Sequence, residues 1–267
     1  MKKSLILFIG SLIGFYAIIT FNSGCAQISA PTGGARDSLP PRLVKATPAE
    51  NTVNFTGNKV SLSFNEYIDL QELQGNVIIS PLQKTTPTIT YNLKSISIKF
   101  KDTLLQNTTY SIDFGSAIRD VHEANVLKNF TYVFSTGNMI DSLTLNGNVM
   151  LAETGKVDST VMVLLYRNIA DTAVLKTKPA YMTRVDGSGN FTFKNLPGQN
   201  FNIYALKDGD GGKTYNSRSE LFAFHDSLVN PSINTEPIRL FAYAEQKPVD
   251  NKIVPAAKTP ADKRLRY

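Results

Sequence analysis

From Leu43 onward, apolar residues alternate with polar ones in short segments bounded by turn formers, the pattern of strands with one face in a core. Val60, Leu62 and Phe64 keep this period, as do Ile89, Tyr91 and Leu93, then Ile96, Ile98 and Phe100 beyond a turn around Asn92 to Ser95. Tyr110, Ile112 and Phe114 repeat it, followed by Phe130, Tyr132 and Phe134. With weaker runs at Leu43 to Ala46 and Val77 to Ile79, this predicts about seven strands at sandwich-like spacing. Only Asp69 to Gln74 reads as a helical turn.

A second set of alternating segments follows Asn138: Leu143, Leu145 and Val149; Val161, Val163 and Leu165; Phe191 and Phe193; Phe201, Ile203 and Ala205; Leu221 to Phe224; Ile238 and Leu240. The fold class is therefore all-β, with two tandem β-sandwich (Ig-like) domains placed at residues 42–138 and 139–244. From 245 to 267 Lys, Pro, Ala and Asp follow one another without periodicity, which predicts a disordered tail.

The N-terminus has a different pattern. Lys2 and Lys3 precede an uncharged apolar run from Leu5 to Phe21, then Asn22-Ser23-Gly24-Cys25. Basic, apolar and small residues succeed one another as in an export signal, here residues 1–24. Cys25, the single cysteine of the chain, follows the small pair Ser23-Gly24, and this stretch resembles a bacterial lipoprotein lipobox. The resemblance implies cleavage before Cys25 and its acylation, as with palmitate, so that lipidated Cys25 opens a tether over residues 25–41 rich in Pro and Gly. Several acyl chains on one residue anchor stably.

Within the first sandwich, Asp37-Ser-Leu-Pro-Pro41, Ala46-Thr47-Pro48, Leu62-Ser63-Phe64-Asn65-Glu66, Leu105-Gln-Asn-Thr-Thr-Tyr110 and Phe134-Ser-Thr-Gly137 together resemble the bacterial Ig-like domain of surface-layer and envelope proteins. With Pro31-Thr32-Gly33-Gly34 after the lipobox, the chain looks like the Ig-like-domain lipoproteins of the Bacteroidota. In the second sandwich, Asp186-Gly-Ser-Gly-Asn-Phe-Thr-Phe193, Leu196-Pro197-Gly198 and Phe201 to Leu206 resemble the carboxypeptidase-regulatory-like, transthyretin-like repeat. A fold likeness carries no activity by itself. The resemblances imply a cell-envelope, lipid-anchored setting at the outer membrane, with the periplasmic or surface face left open.

Charge and composition narrow the function classes. The net charge of +6 gathers at the ends: residues 1–24 carry +2 and residues 245–267 carry +3, leaving 20 basic and 19 acidic groups between them. No basic patch is interleaved with stacking aromatics, so a nucleic-acid partner is not expected. One Cys and two His, His122 and His225, leave little material for thiol catalysis or a His-rich zinc site. Neither Gly-x-Ser-x-Gly nor His-Glu-x-x-His occurs. The expected role is non-enzymatic, with partners sought in the membrane, an envelope protein or a glycan. A glycan- or calcium-binding module and an accessory subunit of an envelope enzyme are the alternatives, and the absence of Trp argues against the usual aromatic sugar platform.

Three groups of candidate residues remain. Asp208, Asp210 and Glu220 sit on a Gly-rich stretch that suits calcium. In EF-hand register, however, Gly212 takes a ligand position, Lys213 the glycine position, and Glu220 falls one residue late. A plain loop between strands is the competing reading, and no resident cofactor is expected beyond the lipid. Glu66, Asp69 and Glu72, or His122 between Asp120 and Glu123, offer acids without a cleft. Finally, Asp followed by Ser or Thr and then a small or aliphatic residue or Thr occurs at six of 14 aspartates, against about one expected from composition. It resembles the O-glycosylation motif of secreted Bacteroidota proteins, with Ser38, Thr103, Ser142, Ser159, Thr172 and Ser227 as acceptors. Asp-Ser and Asp-Thr are also favoured turn pairs, and both readings stand. The Asn-x-Thr sequons at Asn54, Asn107, Asn129 and Asn190 mean little in a bacterial envelope.

Overall fold

The computed structural model describes residues 9–12, 15–16, 34, 36–234 and 236–246. The described residues up to Asp37 and those from Ser38 onward fall into two units. In the first, residues 9–12 and 15–16 are helical and exposed. Among the described residues no helix is long and apolar enough to cross a membrane. The regular structure of the second unit is nearly all strand, arranged as two sandwiches.

In the first sandwich, β1 (Leu43–Thr47), β2 (Lys59–Phe64), β6 (Ser95–Lys99) and β5 (Thr88–Asn92) form one antiparallel sheet in that order. The other sheet runs β10 (Thr131–Ser135), β7 (Thr109–Asp113), β4 (Ile78–Ser80). Alternate side chains of both enter one core: Val60, Leu62, Phe64, Ile96 and Ile98 from the first sheet, Tyr110, Ile112, Tyr132 and Phe134 from the second. The rings of Tyr110 and Phe134 stack at 5.2 Å between centroids, and Phe55 meets Phe134 edge-on at 4.9 Å. Two buried phenols still find partners, as phenols in a core must. Tyr110 Oη accepts the Leu105 N–H at 2.7 Å, and Tyr132 Oη donates to the Pro48 carbonyl at 2.8 Å.

Two expectations need correction here. Of the run Ile89, Tyr91, Leu93 only Ile89 packs against the core. β5 is an edge strand, Tyr91 and Leu93 are 46% and 65% exposed, and Leu93 sits in the β5–β6 turn with φ of 53°. The helical turn lies at Leu73–Asn76 rather than at 69–74. Ile68–Leu70 is strand β3, drawn into a small sheet with β8 (Ile118–Asp120) and β9 (Val126–Leu127) because Ile68 and Leu70 face the core.

The second sandwich pairs β14 (Asn190–Leu196), β11 (Leu143–Leu151) and β17 (Ile238–Ala242) against β13 (Tyr181–Arg184), β12 (Met162–Tyr166), β15 (Asn202–Leu206) and β16 (Phe222–Phe224). β17 lies parallel to β11, with Ile238 opposite Gly147. Gly147 is required there, because a Cβ would run into the Ile238 carbonyl and the Phe191 ring. Leu145, Val149, Phe191 and Phe193 meet Val163, Leu165, Ile203 and Ala205 in the core.

Strands β12 and β15 are buried on both faces. Val163, Leu165, Ile203 and Ala205 point inward, and Leu164, Tyr166, Tyr204 and Leu206 point outward into a third cluster with Met182, Ala173 and Val174. Ile78 of β4 completes that cluster, so the two sandwiches share an apolar seam. The Leu82 N–H donates to the Ala180 carbonyl at 2.7 Å, and the Arg184 guanidinium donates to the Gly75 carbonyl.

Leu164→Ala removes a seam side chain that is 2% exposed and should destabilise by about 2–5 kcal/mol in chemical denaturation. Ile78→Asp should split one calorimetric unfolding transition into two. A single transition that persists unchanged would show that coupling of the sandwiches does not depend on Ile78.

Candidate functional site

The candidate acids sit in the β15–β16 connection, residues 207–221. This stretch has little apolar content of its own and is held by contacts near its middle: the Tyr166 hydroxyl donates to the Lys213 carbonyl at 3.2 Å, and the Tyr215 N–H to the Val174 carbonyl at 3.0 Å. One oxygen from each of Asp208, Asp210 and Glu220 lies within 4.8 Å of the others. The residues singled out from spacing are thus brought together.

The loop also explains its own carboxylates. Asp208 accepts the N–H groups of Gly211 and Lys213, both at 2.9 Å. Asp210 accepts the Gly212 N–H at 2.8 Å and the Asn216 amide at 2.6 Å. Glu220, only 9% exposed, accepts the N–H groups of Asn216 at 3.2 Å, Ser217 at 3.3 Å and Gly209 at 3.5 Å. The Gly212 N–H, then the Asn216 side chain, holds the Asp210 carboxyl below the usual range. Oxygen-rich geometry of this kind suits a hard cation, and it equally closes a turn.

Two of the other acids, Asp69 and Asp120, are accounted for structurally. Asp69 is clamped by Arg119 at 2.9 Å, by the Tyr91 hydroxyl at 2.9 Å and by Gln71. Hydrogen bonding from Arg119 and then Tyr91 lowers its pKa, which is the wrong direction for a proton-donating acid in glycoside hydrolysis. Asp120 is 1% exposed and accepts backbone N–H groups from Glu123, Ala124 and Asn125. Burial opposes its ionisation, and these bonds outweigh burial and leave its pKa lowered. His122 stands beside the Tyr67 ring, 6.3 Å between centroids, and His225 Nδ1 contacts the Ser227 carbonyl at 3.0 Å.

Ser38, Thr103, Ser142, Ser159, Thr172 and Ser227 are all exposed and all lie outside strands. Of the preceding aspartates, Asp158 closes its own turn and Asp102 reaches a distant loop. Asp102 accepts the Thr85 N–H at 2.6 Å, and Asp158 accepts the Thr160 N–H at 2.9 Å and pairs with Lys207 at 2.9 Å. Cys25 and most of the signal, tether and tail lie outside the described residues.

One feature has no counterpart among the sequence expectations. Beside the seam a groove of about 680 Å³ opens between the sandwiches, lined by Val77, Ile79, Leu82 and Ile89 from the first and Met162 and Met182 from the second, with Arg184 and Lys213 in its wall. Its signal in the sequence is the unbroken apolar runs at 162–166 and 203–206, which mark strands covered on both faces.

Strands β1 to β10 fall inside one family match. Residues 37–136 match the family described as the bacterial Ig-like domain. The Ig-like domain fits a non-enzymatic structural or interaction module, and β11 to β17 lie beyond its match. No curated protein matches the chain. Among solved structures, the N-terminal part of the bacterial S-layer protein SbsC is 14% identical, over 70% of this chain and 40% of that one, at a TM-score of 0.27. The chain thus spans less than half of that S-layer fragment. An L,D-transpeptidase from Mycobacterium smegmatis is 11% identical over 76% and 87%, at 0.26. BcpA, the major pilin subunit of Bacillus cereus, is 11% identical over 76% and 70%, at 0.24. Likeness at this level says nothing about activity.

Asp158 supplies a pH signature. Its bonds to Thr160 and Lys207 lower its pKa to about 2, with the Thr160 hydroxyl the largest cause. A depressed carboxyl contributes stability that is fully present above its unfolded value of about 3.9 and lost as pH falls through the folded value. Asp158→Asn should therefore lower the melting temperature at pH 6 and flatten its fall between about pH 4 and pH 2. A mutant curve parallel to that of the parent protein would contradict this.

Proposed function

We propose that the chain is a non-enzymatic cell-envelope lipoprotein, held by acylated Cys25 to the outer membrane and spaced from it by the tether. It presents an Ig-like domain and a transthyretin-like β-sandwich to an envelope protein or glycan. The observation that carries this reading is the joining of an Ig-like domain to a second sandwich through a common apolar seam. A joined pair offers a partner a surface of fixed shape, without the ordering cost of hinged domains. The partner binds through loops or open strand edges, as Ig-like sandwiches allow. The six Asp-Ser and Asp-Thr sites are O-glycan acceptors on this reading, and their uniform exposure in loops supports it.

The anchor is tested by Cys25→Ser. The variant should keep the size of the uncleaved precursor, and palmitate labelling should disappear. A mature-sized, membrane-bound Cys25→Ser protein would refute the lipoprotein reading. In-cell crosslinking with mass spectrometry should then recover one dominant envelope partner, and peptide mapping of native protein should find hexose-bearing Ser or Thr at the six acceptors.

The gathering of Asp208, Asp210 and Glu220 favours a second reading, a structural calcium site. Calcium at millimolar concentration should raise the melting temperature by several degrees in the parent protein and not in Asp208→Asn. Equal melting with calcium and with chelator would rule it out.

A further inference from the structure

The seam has two open sides that differ in chemistry. On one, a groove of about 400 Å³ has a mixed lining, with Ser80, Ser111, Asp113 and Asp186 beside Tyr181 and Phe193. On the other, the groove of about 680 Å³ is walled by aliphatic side chains and by Met162 and Met182. Its volume falls in the range of small-molecule sites, which concentrate at domain interfaces. No aromatic ring lines it, and methionines adapt their shape to flexible apolar chains.

Two cations reach this groove with few partners. Arg184 is half-buried, and burial lowers its pKa. Its guanidinium donates to the Gly75 carbonyl, and among the described residues no carboxylate lies within ion-pair distance of it. Lys213 Nζ has the Gly211 carbonyl at 3.5 Å. The carboxylate in the groove wall, Asp208, is already taken up by the Gly211 and Lys213 N–H groups. Asp113 lines the other groove together with Arg184, and its charge acts on the guanidinium against the effect of burial without forming an ion pair with it. An apolar channel with two under-used cations complements a molecule with an apolar body and one anionic end.

We propose that this groove binds a single-chain amphiphile, its acyl chain against Ile79, Leu82, Met162 and Met182 and its carboxylate or phosphate head on Arg184 and Lys213. Charge-assisted bonds to the head supply orientation, and burial of the chain supplies affinity.

The chain has no tryptophan, so Gln74→Trp places a single indole reporter at the exposed rim of the groove. In the full chain, laurate and dodecyl phosphate below their micelle concentrations should change its emission saturably, at one ligand per protein. Dodecanol, with the same chain and no charge, should bind at least ten-fold more weakly. Lys213→Asn, which keeps a residue tolerant of the positive φ of 58° there, should weaken both anions roughly five-fold and leave dodecanol unaffected. The tighter of the two anions identifies the head group. Calorimetry on the unsubstituted protein gives an independent readout should the indole itself obstruct the groove. Absence of laurate and dodecyl phosphate heat there, equal affinity for laurate and dodecanol, or tighter binding of an apolar peptide with a free C-terminal carboxylate would each overturn the proposal.

Discussion

The outward face of the β13-β12-β15-β16 sheet is the constraint on which the described body depends. Leu164, Tyr166, Tyr204 and Leu206 would expose a broad apolar surface if that sheet faced water. Covering it requires Ile78 and Leu82 from the first sandwich, the helical turn Ala173–Lys176, and Tyr215 from the acidic loop. The domain contact, the placement of the 207–221 loop and the grooves beside the seam all follow from that covering. Each fully buried aliphatic side chain is worth roughly 1.5–3 kcal/mol, so the seam outweighs the few polar bonds that cross it.

Much of the first sandwich was legible because its strands have one wet face. Val60-x-Leu62-x-Phe64 and Tyr110-x-Ile112-x-Phe114 carry period two without interruption, and the buried positions are the ones that alternation picks out. The reading failed where another force overrode the period. At β5, Tyr91 alternates correctly but lies at an edge, where its hydroxyl serves Asp69 instead of the core. At Ile68–Leu70 three residues are too short to show a period, and pairing with β8 is visible only in three dimensions.

In the second sandwich the same logic explains what was missed. Alternation identified Val163, Leu165, Ile203 and Ala205 and passed over Leu164, Tyr204 and Leu206, which lie between them and are just as buried. A continuous apolar strand signals a second cover without naming it. The acidic loop was legible to the extent that Asp208, Asp210 and Glu220 gather. Its amide bonds were not, because they depend on loop conformation rather than residue spacing. Arg184 and Lys213 had no signal at all, since a lone basic residue in sequence reads as solvated surface.

The parallel pairing of β11 with β17 bears on how the chain reaches this state. β11 begins the second sandwich and takes its last partner from residues 238–242, at the far end of the described body. Until that segment is available, β11 has an open edge beside Gly147, where the ladder is thinnest and a foreign strand meets least resistance. A chain delivered N-terminus first must hold this edge unpaired while some ninety residues pass. Escort by a holding chaperone during that interval would matter more to this protein than to one whose strands pair in order of appearance.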